Sequence, residues 1–272
     1  DEDSIRIVRP GTGEGEVRYH DQRFPLAPGT TTLEEQHYEL VSWRAADDDL
    51  NYRRFFAVNT LAAVRVEDPE VFAETHVEIK RWFDEGFVDG LRVDHPDGLR
   101  DPKRYLDDLA ALTGGAYVLV EKILEPGEDL PTDWATSGTT GYDALALIDR
   151  VLTDPAGEAP LTALEDRLRG TPVDWEQMVH DNKRAVADGI LHSEVLRITR
   201  EVERVLDTRE ETADEDAVAD AVAELLACFP VYRSYLPEGR EHLDQAFARA
   251  REHRPDLADT YAVLEPLLHD EW

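Results

Sequence analysis

The sequence predicts an α/β protein that is mainly α-helical by content. Two apolar runs, residues 88–94 and 116–120, both end in charged side chains, and each follows a stretch with apolar residues at helical spacing. The order helix, strand, helix, strand joins the two strands through a helical crossover, so they are expected to be parallel and adjacent. From residue 145 to the C-terminus the apolar residues recur at the spacing of helices.

The N-terminal part of the chain predicts little regular structure. Residues 1–34 are rich in Gly, Pro and Thr and are expected to form loops and short strands. Residues 35–59 are denser in aromatic and cationic side chains, among them Arg53 and the pair Phe55-Phe56. Such a cluster can line a sugar site by stacking and hydrogen bonding, or it can form an ordinary core edge with salt bridges.

A helix is predicted to begin at Asp68-Pro69, because proline is favoured at the first helical position. One face of this helix continues to Gly86 through Phe72, His76, Ile79 and Phe83. The apolar strand 88–94 follows directly.

A second helix is predicted to begin in the same way at Asp101-Pro102 and to end at Gly114-Gly115. Its buried stripe consists of Tyr105, Leu106, Leu109 and Leu112. The second apolar strand, 116–120, comes next and stops at Glu121-Lys122.

The remaining sequence predicts a loop and six helices. Residues 136–143 form a small-residue stretch, and we interpret it as a sugar-site or structural loop because it lacks the Lys-Ser/Thr ending of a phosphate-binding P-loop. The helices are predicted over residues 145–152, 160–168, 174–208, 214–227, 240–252 and 258–268. Heptad-like spacing in 190–206 lasts too few turns for a coiled coil, so a bundle helix is expected there.

The composition excludes several classes of function. The 60 acidic and 29 basic residues give a formal net charge of -31, and such a field repels phosphate backbones, so nucleic acid is not an expected partner. A solvated acidic coat explains the charge better than a specific cation site does. No apolar run is long enough for a membrane helix and no signal pattern is present, so a soluble, cytoplasmic protein is expected. The lone Cys228 is interpreted as a packing residue.

Two carboxylates occupy equivalent places in the predicted sheet. Asp94 and Glu121 each end an apolar strand, about one βα unit apart. Neighbouring parallel strands lie about 4.8 Å apart, so the two side chains can lie about 5 Å from each other, which suits a retaining glycosidase. Arg92 would face the same side and keep Asp94 ionised. Glu121 would have to be protonated to act as the acid.

The same residues admit two other interpretations. Charged side chains end many buried strands without having a chemical role. Asp94, His95 and Asp97 could also ligate a metal, but they crowd into one turn and lack a separated histidine partner. The spacing alone does not decide between these interpretations.

The stretches around both carboxylates resemble conserved regions of the α-amylase superfamily. Residues 90–99 (GLRVDHPDGL) are similar to the second region in the form carried by maltooligosyl trehalose synthases, and residues 120–124 (VEKIL) are similar to the third. Other stretches similar to that group are residues 51–56, 61–67, 138–143 and 228–235. The resemblance extends from about residue 16 to the C-terminus.

This resemblance implies a (β/α)8 barrel with inserted helical subdomains, of which the chain would hold about two core strands and one subdomain. It implies that Asp94 is the nucleophile forming a β-glycosyl enzyme, that Glu121 is the general acid and base, and that Arg92 positions Asp94. The implied substrate-binding residues are His95, Lys122, Arg53 and Tyr142. No metal and no cofactor are implied.

The implied reaction is an isomerisation of maltooligosaccharides, that is, short α-1,4-glucans. The α-1,4 linkage at the reducing end is cleaved, the released glucose turns within the site, and its anomeric hydroxyl attacks the glycosyl enzyme to give an α,α-1,1 linkage. Water must be excluded, because its attack on the same intermediate gives hydrolysis. A maltooligosyl trehalose hydrolase is expected to act on the product.

The sequence departs from the family pattern. The first and fourth conserved regions have no counterpart here, and Ala57 stands where an Asp usually follows the Phe pair. We therefore expect an internal segment of a longer enzyme, with a partial catalytic barrel and a loop-rich N-terminal region in residues 1–143 and a helical subdomain in residues 144–272. The barrel would not close and the isolated chain would have little or no activity. Two other functions stay open: a segment of an α-amylase-type hydrolase, and a non-catalytic helical module that binds glucan.

Overall fold

The computed structural model describes residues 4–9 and 15–269 of the chain. The chain divides into two compact units, Asp1–Ala46 and Asp47–Trp272. Helices make up 52% of it, accompanied by a small parallel sheet, which confirms a mainly helical α/β protein. The division expected after residue 143 from the family resemblance is a different boundary, and it stays a prediction.

The first unit contains a three-stranded antiparallel sheet. Its strands are β1 (Ile5–Val8), β2 (Glu16–Tyr19) and β3 (Gln22–Pro25). Val17 in the central strand is fully buried and lies opposite Phe24. The short strands expected within residues 1–34 are therefore present, while residues 1–3 and 10–14 of that stretch lie outside the described part of the chain.

The second unit opens with an antiparallel hairpin of β4 (Arg54–Phe55) and β5 (Val58–Ala62), followed by α1 (Pro69–Thr75) and α2 (Val77–Asp84). The single helix predicted from Pro69 to Gly86 is wrong, because His76 interrupts it with φ -104 and ψ 6. The buried imidazole of His76 donates from Nδ1 to the carbonyl of Phe72 at 2.9 Å and is hydrogen-bonded through Nε2 to the Tyr105 hydroxyl at 3.0 Å. The Phe72 carbonyl therefore accepts from both the N–H and the imidazole of His76 at the point where the helix is interrupted.

A parallel sheet follows, and it carries the two carboxylates. Its strands β6 (Gly90–Val93), β7 (Tyr117–Val120) and β8 (Gly138–Thr139) lie in that order, with α3 (Pro102–Thr113) joining the first two. The predicted parallel pairing of the two apolar strands is confirmed. A Cβ on Gly90 would lie 2.7 Å from the Tyr117 carbonyl oxygen, so the start of β6 requires a glycine.

The third strand of this sheet was not predicted. β8 is only two residues long and lies in the small-residue stretch, where no apolar run marks a strand. Backbone bonds hold it in place: the Ser137 amide donates to the Val118 carbonyl at 2.7 Å, and the Thr140 amide donates to the Val120 carbonyl at 2.9 Å. Hydrogen bonding to β7, rather than its own sequence, makes this segment a strand.

The parallel sheet is covered on one face. Leu91, Val93, Val118 and Val120 pack with α3 residues and Trp134 in one core cluster. The other face is open, since the side chain of Arg92 is 51% exposed and Tyr117 is 58% exposed.

The rest of the second unit is helical. It contains α4 (Tyr142–Leu152), α5 (Glu158–Arg169), α6 (Trp175–Asp188), α7 (His192–Thr208), α8 (Glu215–Cys228), α9 (Arg240–His253) and α10 (Ala258–His269). Short 3-10 helices of this unit lie at Pro96–Gly98, Pro155–Gly157 and Pro255–Leu257, and a further one, Trp43–Asp47, lies at the boundary between the two units. Helix α8 packs against α6, α7, α9 and α10 and contributes most of its residues to the core that these helices share.

This helical region contains one unpredicted helix break and one helix whose apolar side chains are exposed. The single helix predicted over 174–208 is wrong, because the chain leaves helical geometry at Gly189, where a Cβ would lie 2.8 Å from the Ala185 carbonyl. Helix α4 has no buried residue, and its apolar side chains Leu147, Val151 and Leu152 are 60%, 84% and 78% exposed.

Among the described residues, no helix combines the length and apolarity needed to cross a membrane.

Candidate active site

The two predicted carboxylates lie at one edge of the parallel sheet. Val93 of β6 is paired with Val120 of β7, so the next residues, Asp94 and Glu121, leave the sheet at the same level. The Glu121 amide donates to the Val93 carbonyl at 2.8 Å and extends the ladder to this point. The structure therefore brings Asp94 and Glu121 together at the carboxyl ends of adjacent strands.

Arg92 contacts both carboxylates with one guanidinium. Its Nη1 donates to Asp94 Oδ1 at 2.7 Å, and its Nη2 lies 3.2 Å from Glu121 Oε1. The hydrogen bond from Arg92 is the main cause that holds the pKa of Asp94 below its ordinary value, and the contact with Glu121 is the second. The Asp94 side chain is 60% exposed, so an ionised carboxylate faces the open side of the sheet.

His95 connects this carboxylate pair to an aromatic surface. Its backbone is left-handed, with φ 45 and ψ 54, which is uncommon for a residue with a Cβ. In this conformation its N–H donates to Glu121 Oε2 at 3.1 Å, and its ring Nε2 is hydrogen-bonded to the Tyr232 hydroxyl at 2.8 Å. A Cβ on Gly98 would lie 2.7 Å from His95 Nδ1, so the imidazole occupies the space that a larger residue would fill.

Three aromatic rings surround the His95 imidazole. The ring centroids of Phe55, Phe56 and Tyr232 lie 6.0, 5.3 and 5.6 Å from it. These rings are 42%, 57% and 58% exposed, and exposed aromatic faces beside hydrogen-bonding groups suit the stacking of sugar rings. We call Phe55, Phe56, His95 and Tyr232 the aromatic wall. Its position favours the sugar-site interpretation of the aromatic stretch 35–59.

Tyr232 was not predicted as a site residue. It lies in the segment that follows α8, and its neighbours bind the turn after β6. Arg233 Nη1 donates to the Asp97 carbonyl at 2.9 Å, and the Tyr235 hydroxyl is hydrogen-bonded to the Asp97 carboxylate. The one signal that could have identified Tyr232 was the family resemblance of residues 228–235.

Lys122 does not lie at the open edge of the sheet. Its side chain is fully buried, with Nζ 2.7 Å from Glu128 Oε1 and 3.4 Å from Asp97 Oδ2. Alternation along the chain directs Lys122 to the side opposite Glu121. Two buried carboxylates neutralise this ammonium, so the structure gives Lys122 a place in the support beneath the site.

The other two predicted substrate-binding residues are both exposed. Arg53 precedes β4 and is close enough to Tyr232 and Arg233 for its charge to act on both. Tyr142 begins α4, shortly after β8, with 44% of its surface exposed. Within the described residues, no hydrogen bond or ring contact joins Tyr142 to the carboxylate pair, whereas Arg53 lies beside the aromatic wall.

The structure does not gather the alternative metal ligands. Asp97 is 7% exposed and contacts Lys122 and Tyr235, while the side chain of Asp94 is exposed and bound to Arg92. A carboxylate that already neutralises a buried ammonium is a poor candidate for a cation shared with Asp94. The open edge of the sheet is therefore better described as a carboxylate pair with one arginine.

Comparison with known proteins gives a consistent picture, although no protein-family model matches the chain. A Mycobacterium tuberculosis protein that carries the name maltooligosyl trehalose synthase is 43% identical over 196 residues, which cover 70% of this chain and 24% of that protein. The chain thus spans about a quarter of the length of the curated relatives that it matches.

Solved structures give the same result. The maltooligosyltrehalose synthase from Arthrobacter ramosus matches with a TM-score of 0.89 at 54% identity, covering 98% of this chain and 34% of that one. A hypothetical maltooligosyl trehalose synthase from Sulfolobus tokodaii matches with a TM-score of 0.69 at 30% identity, covering 97% of this chain and 36% of that one. The resemblance to maltooligosyl trehalose synthases is confirmed: this chain is similar to one segment of these proteins.

Proposed function

We propose that this chain supplies the nucleophile and the general acid/base of a maltooligosyl trehalose synthase. The observation that carries the proposal is the Arg92 guanidinium shared by Asp94 and Glu121 at one sheet edge. The similarity to named synthases supports it. The parallel strands β6, β7 and β8 would be consecutive strands of a (β/α)8 barrel, with residues 144–272 as a helical subdomain beside it.

In the first half-reaction, Asp94 attacks the anomeric carbon at the α-1,4 linkage nearest the reducing end. Glu121 gives its proton to the leaving oxygen, the C–O bond breaks, and a β-glycosyl ester of Asp94 forms together with free glucose. In the second half-reaction the anomeric hydroxyl of that glucose attacks the same carbon. Glu121 takes the hydroxyl proton, the ester bond breaks, and an α,α-1,1 linkage results.

The contacts at the sheet edge support a proposed task for each neighbour. Arg92 keeps Asp94 ionised for attack, and the His95 amide orients the Glu121 carboxyl through Oε2. The aromatic wall would stack the sugar ring and restrict water near the intermediate. Arg53 and Tyr142 are proposed to bind the glucan from outside the wall, while the burial of Lys122 favours an indirect contribution. The cytoplasmic location and the subsequent hydrolase are predictions that complete this proposal.

A chimeric enzyme tests the proposal. The chain would replace the segment of the Arthrobacter ramosus synthase that it matches, and the chimera would be incubated with maltohexaose. We expect a non-reducing product. In the chimera, Glu121→Gln should lower turnover about 10²–10⁴-fold, the range typical of a lost acid/base, and Asp94→Asn should lower it at least as much.

The matched control is Asp107→Asn, which removes an exposed carboxylate whose partner on α3 is Lys103. It should leave turnover unchanged. A chimera that releases only reducing sugar would identify a hydrolase of the same superfamily. If Asp94→Asn or Glu121→Gln kept near-normal turnover, the assignment of the carboxylate pair would be wrong.

A further inference from the structure

A second cluster of reactive side chains lies in the helical region. His180 on α6, Cys228 at the end of α8 and His253 at the end of α9 each present a ligand atom, and these atoms all lie within 4.8 Å of one another. We infer that His180, Cys228 and His253 form a binding site for a divalent transition-metal cation, with Zn²⁺ as the expected ion. This inference does not depend on the proposed function of the carboxylate pair.

The residue types support this choice of ion. Imidazole nitrogen and thiolate sulfur are the preferred ligands of Zn²⁺, and helical bundles build metal sites from side chains on facing helices. Zn–N bonds of about 2.0 Å and Zn–S bonds of about 2.3 Å place two nitrogens and one sulfur about 3.3–3.5 Å apart in a tetrahedral site. Because the three ligand atoms already lie within 4.8 Å of one another, binding requires them to move closer together by at most about 1.5 Å.

His253 has the freedom to make that movement. It is the last residue of α9 and is exposed. Its ring now stacks on His180, with centroids 4.2 Å apart and an interplanar angle of 6°. Rotation of this exposed ring breaks one stacking contact and no backbone bond, so the site can close without a change in the helices.

A buried carboxylate already contacts two of the three ligands. Glu224 is 2% exposed, and its Oε1 accepts from His180 Nε2 at 2.7 Å and from the Cys228 thiol at 3.5 Å. Arg184 Nη1 donates to the other oxygen at 3.0 Å. The other ring nitrogen of His180, Nδ1, lies 3.3 Å from Asp181 Oδ1. Each nitrogen of this imidazole therefore has a carboxylate partner, and the nitrogen that does not bind the ion keeps the outer partner usual for a metal-ligating histidine.

The cluster is accessible from solvent. A cavity of about 430 Å³ adjoins it and is lined by Trp175, His180, Lys183, Cys228, Arg249 and His253, among other residues. An ion entering this cavity meets the thiol on its wall. Burial, followed by the charge of Glu224, raises the pKa of the Cys228 thiol to about 12, so cation binding must release the thiol proton to solvent as the sulfur–metal bond forms.

Cobalt(II) titration tests the site, because it reports thiolate ligation in the visible and near-ultraviolet spectrum. The whole 272-residue chain, stripped with EDTA, should bind one Co²⁺ with a sulfur-to-metal charge-transfer band, and Zn²⁺ should displace it. Cys228→Ser should abolish the band, and His253→Gln should weaken binding by at least about 100-fold, the upper range for loss of an outer partner alone. His37→Gln, at an exposed histidine of the first unit, is the matched control and should bind as the parent chain does.

Two results would overturn the inference. One is the absence of stoichiometric Co²⁺ binding to the parent chain, and the other is binding of unchanged affinity in His253→Gln. His253→Gln alters an exposed helix end and is expected to fold, as circular dichroism will show. It therefore decides the question even if Cys228→Ser, which alters a buried position, does not fold.

Discussion

At the residue scale, one guanidinium lies between the two carboxylates of the sheet edge and lowers the pKa of Asp94. The pKa of Asp94 is lowered in the folded chain, so its ion pair stabilises the fold above the ordinary value of 3.8 and loses that contribution as pH falls through the lower folded value. The stabilisation is small because the pair is largely exposed and screened by solvent. Its consequence for chemistry lies in the acid range, since Asp94 stays ionised at lower pH than a free aspartate does.

Removing Arg92 should reverse this effect. In Arg92→Leu the pKa of Asp94 is expected to rise, because the hydrogen bond from Arg92 is the main cause of its depression. Carboxyl-carbon NMR titration of labelled aspartate measures the change directly. Arg104→Leu, which removes an exposed arginine paired with Asp108 on α3, should leave the Asp94 titration where it is. An Asp94 titration that is identical in Arg92→Leu and the parent chain would show that Arg92 does not act on this carboxylate.

Lys122 has a different task, since it balances two buried carboxylates. Replacing it with methionine leaves Asp97 and Glu128 buried without their cation. The free energy of unfolding of Lys122→Met should fall by about 3–5 kcal/mol, as is typical when one partner of a buried ion pair is removed. Urea denaturation measures this change.

Lys103→Met provides the comparison for Lys122→Met. Lys103 forms an exposed pair with Asp107, and its loss should cost less than about 1 kcal/mol. Equal effects of the two substitutions would contradict a supporting role for Lys122 and would favour its direct contact with substrate.

The sequence predicted Asp94, Glu121 and Arg92 because an apolar run ending in charge is a local signal. Strand alternation could have placed Lys122 on the side opposite Glu121, although the family resemblance assigned it to the substrate. Tyr232 could not be identified in this way, because it reaches His95 across 137 positions of the chain. Contacts of this kind arise from tertiary packing and leave no periodic pattern in the sequence.

At the scale of elements, helices with a continuous apolar stripe were predicted well, and interruptions were not. Helix α3 begins at Pro102 and ends before Gly114 as expected. The breaks at His76 and Gly189 fall inside uninterrupted helical periodicity, because a buried imidazole causes one and a close backbone approach causes the other. Strand β8 was missed because its own residues carry no strand pattern. Its hydrogen bonds to β7 make this segment a strand.

Helix α7 is expected to be stabilised mainly by the face that it buries in the helical core. Leu206 is 2% exposed within the helical core, whereas Leu168 on α5 is 77% exposed. Leu206→Ala is expected to lower the free energy of unfolding by about 2–5 kcal/mol, because it removes buried methyl groups and leaves a cavity. Leu168→Ala should change it by less than about 0.5 kcal/mol. Chemical denaturation of both variants measures the difference. An equally small effect of Leu206→Ala would contradict the burial of Leu206 in the helical core.

At the scale of the whole molecule, the carboxylate pair lies on an open surface. Water reaches Asp94 freely, and exclusion of water is what separates transfer from hydrolysis. The 272-residue chain alone is therefore expected to give no detectable maltooligosyl trehalose from maltohexaose, in contrast to the chimera. Chromatography of the products measures this, with the Asp94→Asn chimera as the blank. Formation of the non-reducing product by the chain alone would contradict this expectation.

Because apolar side chains of α4 face water, electrostatic repulsion between chains is the main force that prevents their association in concentrated solution. A net charge of -31 at pH 7 keeps the chains apart, but near the isoelectric point of about 4.5 that repulsion disappears while Leu147, Val151 and Leu152 still face water. Light scattering during an acid titration should show turbidity beginning near this pH, and added salt should move the onset upward because it shortens the screening length. The colloidal stability of this protein is thus a property of its acidic coat.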